Sequence, residues 1–417
     1  MATDHFSPAV LPDGTGVLFT VIYGTTAETD VAIIGIADRA HSVVLKRACC
    51  ARYGGAGQLL YVTSAGTLMA VAFDAKARKV TGEPRVLSEG LPARPRPNSV
   101  AVSTLGTLVY VTGQTRETEP VWVTRNGNAQ PVDSAFHGKL WDPSLSPDGT
   151  QLAIREQETA YSSEVWVKRL DTGARVKLTF EKRATRFPTW TPDGRSVTYS
   201  SNVSGAFDLW TKRADGSTAA APPFRQRQRL NVHESLWSPD GKWLVFRTSQ
   251  FDAGSADILA VRPGVDTVPR PLVATAFAEF TPALSPDGRW LAYTSNETGA
   301  REVYVVPFPN SGTAKWAVST QGGTEPVWAH SGRELFYRNG AGSLMSVQVT
   351  ASPTFTIGRT TPLFDAAGFS AAAAHQQYAV ARDDQRFLML RPRGKPVADK
   401  LIVVENWLEE LKRQPRQ

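Results

Sequence analysis

The side chains that could carry chemistry are spread thinly along this sequence of 417 residues. A metal site would have to be assembled from separate segments, because Zn²⁺ needs three or four ligands around one point. The sequence also lacks the G-x-S-x-G motif that carries a serine nucleophile. We therefore expect no catalytic residue, no metal and no cofactor. The histidines form no pair at helical or alternate-residue spacing; they are His5, His41, His137, His233, His330 and His375.

An aspartate does recur, inside the signature Ser/Thr-Pro-Asp-Gly. Proline presets φ at the second position of a turn, aspartate bonds to the nearby backbone, and glycine accepts a positive φ. This pattern predicts structural turns rather than a repeated catalytic acid. The turn residues are Asp148, Gly149, Asp193, Gly194, Asp240, Gly241, Asp287 and Gly288.

These turns mark a repeat that runs through the whole chain. Nine turn marks, some of them degenerate, are separated by 43 to 53 residues. Between them lie apolar runs of about four to six residues, bounded by Gly, Pro, Asn and Asp, which predict short strands. Four antiparallel strands in about 45 residues make one blade of a β-propeller. The predicted fold is all-β: a propeller of four-stranded antiparallel blades with about nine repeats and a short C-terminal helix.

The repeats divide the chain into three predicted parts. Residues 1–135 contain three diverged repeats, residues 136–407 contain six regular ones, and residues 408–417 form a helical tail. Two arrangements fit these repeats. One is a single ring of eight or nine blades, and the other is a six-bladed ring plus three further blades.

A candidate binding site follows from the blade geometry. The innermost strand of each blade lines the central channel, so the residue that enters this strand faces the channel mouth. Repeats that keep their scaffold and vary these residues suit a binding surface. Counting back from each turn predicts the mouth residues Asp142, Phe187, His233, Thr281, Glu325 and Gln377.

Charge and hydropathy narrow the class of partner. The net charge is +7, but the basic clusters at residues 94–96, 225–229 and 391–395 lie among Pro and Gln, without the interleaved aromatic residues that stack on bases. No run of about 18 apolar residues predicts a membrane span. We expect a protein or peptide partner, or a small ligand at the channel mouth, with no nucleic acid and no membrane segment. We also expect a monomer.

The repeat resembles the WD-repeat-like blade of the TolB family, most clearly at residues 145–167, 190–210 and 284–306. The order of the variant repeats over nearly the whole chain is similar to the C-terminal propeller region of bacterial membrane-bound serine/threonine protein kinases. The segments that carry this second resemblance are residues 66–74, 80–84, 106–111, 303–309, 332–337, 386–389 and 406–412.

The resemblance implies a non-catalytic binding module, the sensor or scaffolding region of such a kinase, whose kinase domain is absent from this chain. Membership of a membrane kinase implies an extracytoplasmic location; otherwise a cytoplasmic one is expected, because residues 1–5 have no signal-peptide character. The alternative is a free-standing TolB-like periplasmic interaction protein. A propeller hydrolase or lyase is the third hypothesis.

Overall fold

The computed structural model describes residues 2–23, 29–91, 100–103, 105–112, 117–159, 162–225, 230–248, 256–351, 354–372, 374–394 and 400–413. The basic cluster at residues 94–96, and most of the one at residues 225–229, lie outside these residues. Within them, no helix is long and apolar enough to cross a membrane.

The described residues form 35 strands, one α-helix and one short 3-10 turn at Ser311–Thr313. The first eleven strands are β1 (Ala2–Val10), β2 (Gly16–Tyr23), β3 (Thr29–Gly35), β4 (His41–Leu45), β5 (Ala48–Gly55), β6 (Gln58–Thr63), β7 (Leu68–Asp74), β8 (Lys79–Val80), β9 (Arg85–Ser88), β10 (Val100–Val102) and β11 (Leu108–Thr112). The next are β12 (Thr118–Thr124), β13 (Ala129–Pro131), β14 (Leu140–Leu145), β15 (Gln151–Gln157), β16 (Ser163–Arg169), β17 (Arg175–Lys177), β18 (Thr185–Trp190), β19 (Ser196–Ser201), β20 (Asp208–Arg213), β21 (Val232–Trp237), β22 (Leu244–Thr248), β23 (Ile258–Val261) and β24 (Arg270–Val273). The last are β25 (Glu279–Leu284), β26 (Trp290–Ser295), β27 (Glu302–Pro307), β28 (Trp316–Ala317), β29 (Gly323–Trp328), β30 (Glu334–Asn339), β31 (Ser343–Thr350), β32 (Thr356–Asp365), β33 (Tyr378–Val380), β34 (Arg386–Pro392), β35 (Lys400–Val404) and the helix α1 (Trp407–Arg413).

The chain divides into two compact units. Unit 1 comprises Met1–Arg116, Glu158–Ser162 and Gly394–Gln417, and unit 2 comprises Glu117–Gln157 and Ser163–Arg393. The sequence repeats place the corresponding boundary at residue 136. The boundary in the structure comes earlier because β12 and β13 pair with strands of unit 2.

Unit 1 contains three antiparallel sheets packed in a row. The first has the order β1-β2-β3-β4, the second contains β5 to β9, and the third has the order β10-β11-β35. One apolar cluster, with Leu18 and Ile33 on one side and Leu59 on the other, joins the first sheet to the second. A second cluster joins the second sheet to the third and includes Trp407 of α1.

Unit 2 contains six sheets. Five have consecutive strands: β14-β15-β16-β17, β18-β19-β20, β21-β22-β23-β24, β25-β26-β27-β28 and β29-β30-β31-β32. The sixth has the order β13-β12-β34-β33, so it joins the first strands of the unit to the last. The innermost strands β14, β18, β21, β25, β29 and β33 contact one another in cyclic order, with β33 against β14. We call this arrangement the six-sheet ring.

The all-β fold of four-stranded antiparallel sheets agrees with the prediction, and the sheets are arranged as six plus three. Two strand assignments from the repeat count are wrong, however. Residues 401–404 pair with β11 rather than with the last repeat, and residues 121–123 pair with β34 rather than with the third repeat. Alternation of apolar residues identifies a strand, but its partner depends on contacts between distant parts of the chain.

The turns of unit 2 have the hydrogen bonds that their residue types favour. At the fourth sheet, Gly288 has a φ of +68°, and its N–H donates to the carbonyl oxygen of Ser285 at 2.8 Å. The hydroxyl of Ser285 donates to Asp287 Oδ1 at 2.6 Å, and the N–H of Arg289 donates to the same carboxylate at 3.1 Å. Equivalent hydroxyl–aspartate bonds occur at Asp148, Asp193 and Asp240, and Gly149, Gly194 and Gly241 have positive φ.

Candidate functional site

The innermost strands of unit 2 share a local irregularity, which lies seven residues before the glycine that ends each turn signature. In five of these strands the pairing register shifts at this point, as it does between Trp141 and Ser144 in β14. Four of the predicted mouth residues lie in these bulges with positive φ, a conformation that is uncommon outside glycine. They are Asp142 (55°), Phe187 (53°), Thr281 (49°) and Glu325 (56°).

Five of the six predicted mouth residues occupy equivalent positions in their sheets, but His233 does not. Glu234 lies seven residues before its turn glycine, Gly241, and His233 comes one residue earlier. This sheet has Ser235 where four of the other sheets have a proline. All six predicted residues are buried, with exposed fractions between 0% and 8%. Their polar atoms are hydrogen-bonded mainly to other protein groups, except for the ring nitrogens of His233.

Carboxylates and arginines pair at three alternate sheets of the six-sheet ring. In each case, the arginine lies 13 residues after the acid, on the second strand of the same sheet. Both partners are largely buried, so each pair is a buried ion pair. Removing one partner would leave the other as an uncompensated buried charge. The nitrogen–oxygen distances are 2.9 Å for Arg155–Asp142, 2.8 Å for Arg247–Glu234 and 3.3 Å for Arg338–Glu325.

Each of these carboxylates also accepts a hydrogen bond from the backbone of the next sheet in the ring. The donors are the N–H groups of the neutral residues at the equivalent position. The distances are 3.3 Å from Phe187 N to Asp142 Oδ2, 2.9 Å from Thr281 N to Glu234 Oε1 and 2.7 Å from Gln377 N to Glu325 Oε2. The acids thus connect the six sheets in three pairs.

Gln377 makes one further link between these pairs. Its Nε2 donates to Asp142 Oδ1 at 2.7 Å, and the N–H of Asp142 donates to Gln377 Oε1 at 3.2 Å. Gln377 lies next to β33, the last innermost strand, and Asp142 lies in β14, the first. This reciprocal pair therefore joins the two ends of unit 2 where the ring closes.

The pKa values of two of these acids differ because their neighbours differ. Burial is the largest influence on Glu325 and raises its pKa to about 7, against the opposing effect of Arg338. Burial also acts to raise the pKa of Glu234, but Arg247 and the hydrogen bond from His375 outweigh it and lower that pKa. Glu234 is therefore a carboxylate at neutral pH.

His375 was not among the predicted mouth residues. Its Nδ1 lies 2.9 Å from Glu234 Oε2, and its ring centroid lies 4.3 Å from that of Phe187. His375 precedes β33, whereas Glu234 lies in β21, three sheets away in the cyclic order. The segment around His375 therefore reaches across the bulge end of the ring. No sequence signal marked this contact, because His375 lies outside the repeated motif.

His233 has a different environment. It is buried beside Phe187 and Phe207, with ring centroids 6.1 Å and 5.6 Å away. Neither of its ring nitrogens has a hydrogen-bond partner among the described residues. Burial lowers its pKa to about 3, so the imidazole is neutral at physiological pH.

The centre of the six-sheet ring holds a cavity of about 500 Å³, lined by the innermost strands. Asp142, Phe187, Glu234 and Thr281 line its bulge end. At the turn end the lining residues are Pro147, Pro192, Pro239, Pro286 and His330. We call this cavity the channel.

Most of the channel wall between the two ends is apolar. Leu145, Leu236, Leu284 and Val327 line it and are only half-buried. Ser235 is a polar exception: its Oγ is buried and has no hydrogen-bond partner among the described residues. Apolar walls with a few fixed polar groups are typical of ligand-binding cavities. Within the described part of the chain, no group of three or more His, Cys, Asp or Glu residues is placed to hold a metal ion.

The repeated antiparallel sheets of this chain are those of a β-propeller and are similar to the propeller of TolB. Residues 102–262 match the family described as TolB beta propeller domain (PD40). The solved structure of a putative TolB from Agrobacterium tumefaciens superposes with a TM-score of 0.53 at 17% sequence identity. The superposition covers 67% of this chain and 99% of that one, and at this identity the likeness concerns the fold alone.

Curated relatives match shorter segments. The uncharacterized peptidase YuxL of Bacillus subtilis (strain 168) is 30% identical over 124 residues, which are 28% of this chain and 18% of that protein. An uncharacterized protein of Agrobacterium fabrum is 26% identical over 159 residues, 37% of this chain and 50% of that protein. The Tol-Pal system protein TolB of Anaeromyxobacter dehalogenans is 30% identical over 116 residues, 25% of this chain and 26% of that protein. The chain thus spans half or less of the length of each of these relatives.

Proposed function

We propose that unit 2 is a non-catalytic binding module that receives an apolar segment of a protein partner in the channel. The half-exposed apolar wall of this cavity of about 500 Å³ carries the proposal. Apolar side chains of a bound peptide would be removed from water against Leu145, Leu236, Leu284 and Val327, which is favourable by about 25 cal/mol per Å² buried.

The turn end is the entrance that this proposal favours. At the bulge end, the mouth residues predicted from the sequence are buried among one another, and His375 reaches across to Glu234. At the turn end, by contrast, the lining residues Pro239, Pro286 and His330 are exposed. A partner that enters there meets the apolar wall without breaking an ion pair.

The proposal is tested by selecting peptides that bind the chain and then measuring their binding to a variant whose channel is narrowed by a larger side chain. Peptides enriched from a random display library on the immobilised chain are measured by calorimetry against the wild type and an Ala283→Phe variant. Ala283 lines the channel, so the larger side chain should weaken binding at least tenfold. Val265→Lys is the matched control, because Val265 is exposed and does not line the channel. Failure to enrich any peptide, or equal binding by Ala283→Phe, would contradict the proposal.

The finer proposal is that this module is the sensor or scaffolding region of a bacterial serine/threonine protein kinase. It is supported by the ordered series of motifs from residues 66–74 to residues 406–412. The coding sequence upstream of Met1 tests it. A kinase domain and a membrane span in the same reading frame are the expected result, and an in-frame stop codon directly upstream would overturn it.

A free-standing TolB-like interaction protein is the second candidate, and the match of residues 102–262 to the TolB propeller family favours it. In that case the upstream sequence should encode an export signal and no kinase. Catalysis by the channel residues is a third possibility, and it would require that turnover is lost in His233→Ala or Glu325→Ala. The buried ion pair of Glu325 and the apolar surroundings of His233 fit structural roles better.

A further inference from the structure

The third sheet of unit 1 has two faces that differ in burial. Val100, Leu108 and Val404 pack into the apolar cluster shared with the second sheet. The alternate residues on these strands are also apolar, but they lie outside the buried clusters of the described residues. We call them the third-sheet face: Ala101, Val109, Val111, Leu401 and Val403. Pairing of Ala101 with Val109, Val109 with Val403, and Val111 with Leu401 places all five on one side.

This face is exposed where a packed sheet would be covered. Leu401 is 66% exposed and Val403 is 56% exposed. Two large apolar side chains two residues apart on one strand form a continuous strip with Val109 and Val111, which are half-buried. Contiguous apolar surface of this kind marks an interaction site more often than scattered single residues do.

The first sheet of unit 1 has a matching surface. Leu18 and Ile33 pack toward the second sheet. On the opposite side lie Val10, Val17, Phe19, Ile34 and Val43, which we call the first-sheet face. Val10 pairs with Val17, Val17 with Ile34, Phe19 with Ala32, and Ala32 with Val43. Val10 is 63% exposed and Val43 is 45% exposed.

Unit 1 is therefore a row of three sheets with an apolar face at each end. We propose that a second copy of this chain covers both faces, so that the first-sheet face of one copy packs on the third-sheet face of the other. The unit 1 of each copy then contributes three sheets to a second closed ring, which has twofold symmetry. This interaction is independent of the partner proposed for the channel of unit 2.

The number of sheets supports this occupant. In unit 2, six sheets of the same repeat contact one another in a cycle, so each sheet turns about one sixth of a circle relative to its neighbour. Three such sheets span about half a circle, and a twofold rotation supplies the other half. Contacts between two different faces normally continue into open chains of molecules, but here the rotation closes after two copies.

Mass measurement tests the dimer. Light scattering of the whole chain over a concentration series should approach twice the 45.3 kDa of one chain. A Leu401→Lys/Val403→Lys variant should remain at one chain mass, because lysines on this face would be buried without partners. Leu105→Lys is the control, since Leu105 is 89% exposed and lies on neither face. Thermal melts of all three chains check that each is folded.

Thiol crosslinking tests which faces meet. The chain has two cysteines, Cys49 and Cys50, and both are buried, so an introduced surface cysteine is selectively reactive. A Val43→Cys chain mixed with a Val403→Cys chain should form a covalent dimer with a short bis-maleimide. Each variant alone should give at least fivefold less, because the partner copy presents valine at the opposing face.

Three results would overturn the proposal. The first is a single-chain mass at every concentration, and the second is a dimer that the Leu401→Lys/Val403→Lys variant leaves intact. The third is a yield of covalent dimer from either cysteine variant alone that equals the yield from the mixture. Such a result would mean that two identical faces meet. Masses that grow beyond two chains would overturn the closed ring as well.

Discussion

His375 Nδ1 lies 2.9 Å from Glu234 Oε2, and this contact joins two sheets that stand three positions apart in the six-sheet ring. Glu234 also accepts from Arg247 in its own sheet and from the backbone of Thr281 in the next one. A single, largely buried carboxylate therefore links three sheets. Its loss would leave Arg247, whose side chain is 5% exposed, without a counter-charge.

We predict that Glu234→Gln destabilises the protein more than His375→Ala does. The amide keeps the shape but leaves a buried guanidinium unpaired, which costs about 3–5 kcal/mol. Removing His375, which is partly exposed, costs about 1 kcal/mol for one hydrogen bond. Urea unfolding followed by tryptophan fluorescence measures both variants. Glu234→Gln/Arg247→Met removes both charges and should recover part of the loss, whereas equal effects of the two single variants would contradict the linking role.

Stability should depend on pH through His233. Its folded pKa of about 3 lies below the ordinary histidine pKa of 6.5, so below pH 6.5 the unfolded chain binds a proton that the folded chain does not. The stability contributed by neutral His233 is present above pH 6.5 and falls as the pH decreases toward 3. At pH 5 the loss is about 2 kcal/mol, at about 1.4 kcal/mol per unit.

His233→Phe isolates this contribution, since phenylalanine suits the contacts with Phe187 and Phe207 and does not titrate. From pH 7.5 to pH 5 the wild type should lose more unfolding free energy than the variant does, so the variant becomes the more stable of the two relative to its difference at pH 7.5. Chemical denaturation at the two pH values measures it. A difference that is the same at both values would show that His233 titrates normally in the folded protein.

Gly288→Val should destabilise unit 2 by about 1–3 kcal/mol, because a β-branched residue is strained at a φ of +68°. Space is not the reason, since the nearest atom to an added Cβ is Pro239 Cδ at 3.5 Å. Gly368→Val is the control: Gly368 has no atom within 4 Å of an added Cβ and no positive φ. A thermal melt in which the two variants lose similar stability would contradict the turn assignment.

Closure of the six-sheet ring makes a prediction about truncated chains. Residues 117–393 contain every strand of unit 2 and should fold with a cooperative transition. Residues 136–407, the repeats as counted from the sequence, lack β12 and β13, and β34 then loses its pairing from Thr118 to Thr124. Val121 and Val123, both fully buried in the same cluster, are lost as well. Circular dichroism melts compare the two, and equal stability would mean that β12 is dispensable for closure.

Local sequence accounts for much of the candidate site. The turn signature located the positive-φ residue of the bulge in four of the six sheets and the equivalent position, Gln377, in a fifth, because this position stands seven residues before the turn glycine or its substitute. The arginine 13 residues after Asp142, Glu234 and Glu325 was a usable signal that the prediction missed. Two strands of a hairpin with constant loop length bring residues at a constant spacing together. In the sheet that begins with β21, the predicted residue His233 lies one position too early, since Glu234 stands seven residues before Gly241.

The sequence by itself determined the strands, the turns and the blade repeat, because these depend on residues within one hairpin or one turn. The tertiary structure decided which strands close the ring, that His375 reaches Glu234, and that the predicted mouth residues are buried. Pairing of β12 with β34 and of β11 with β35 joins residues more than 250 positions apart. Such pairings depend on the packing of whole sheets, and alternation of side chains along a strand carries no information about its distant partner.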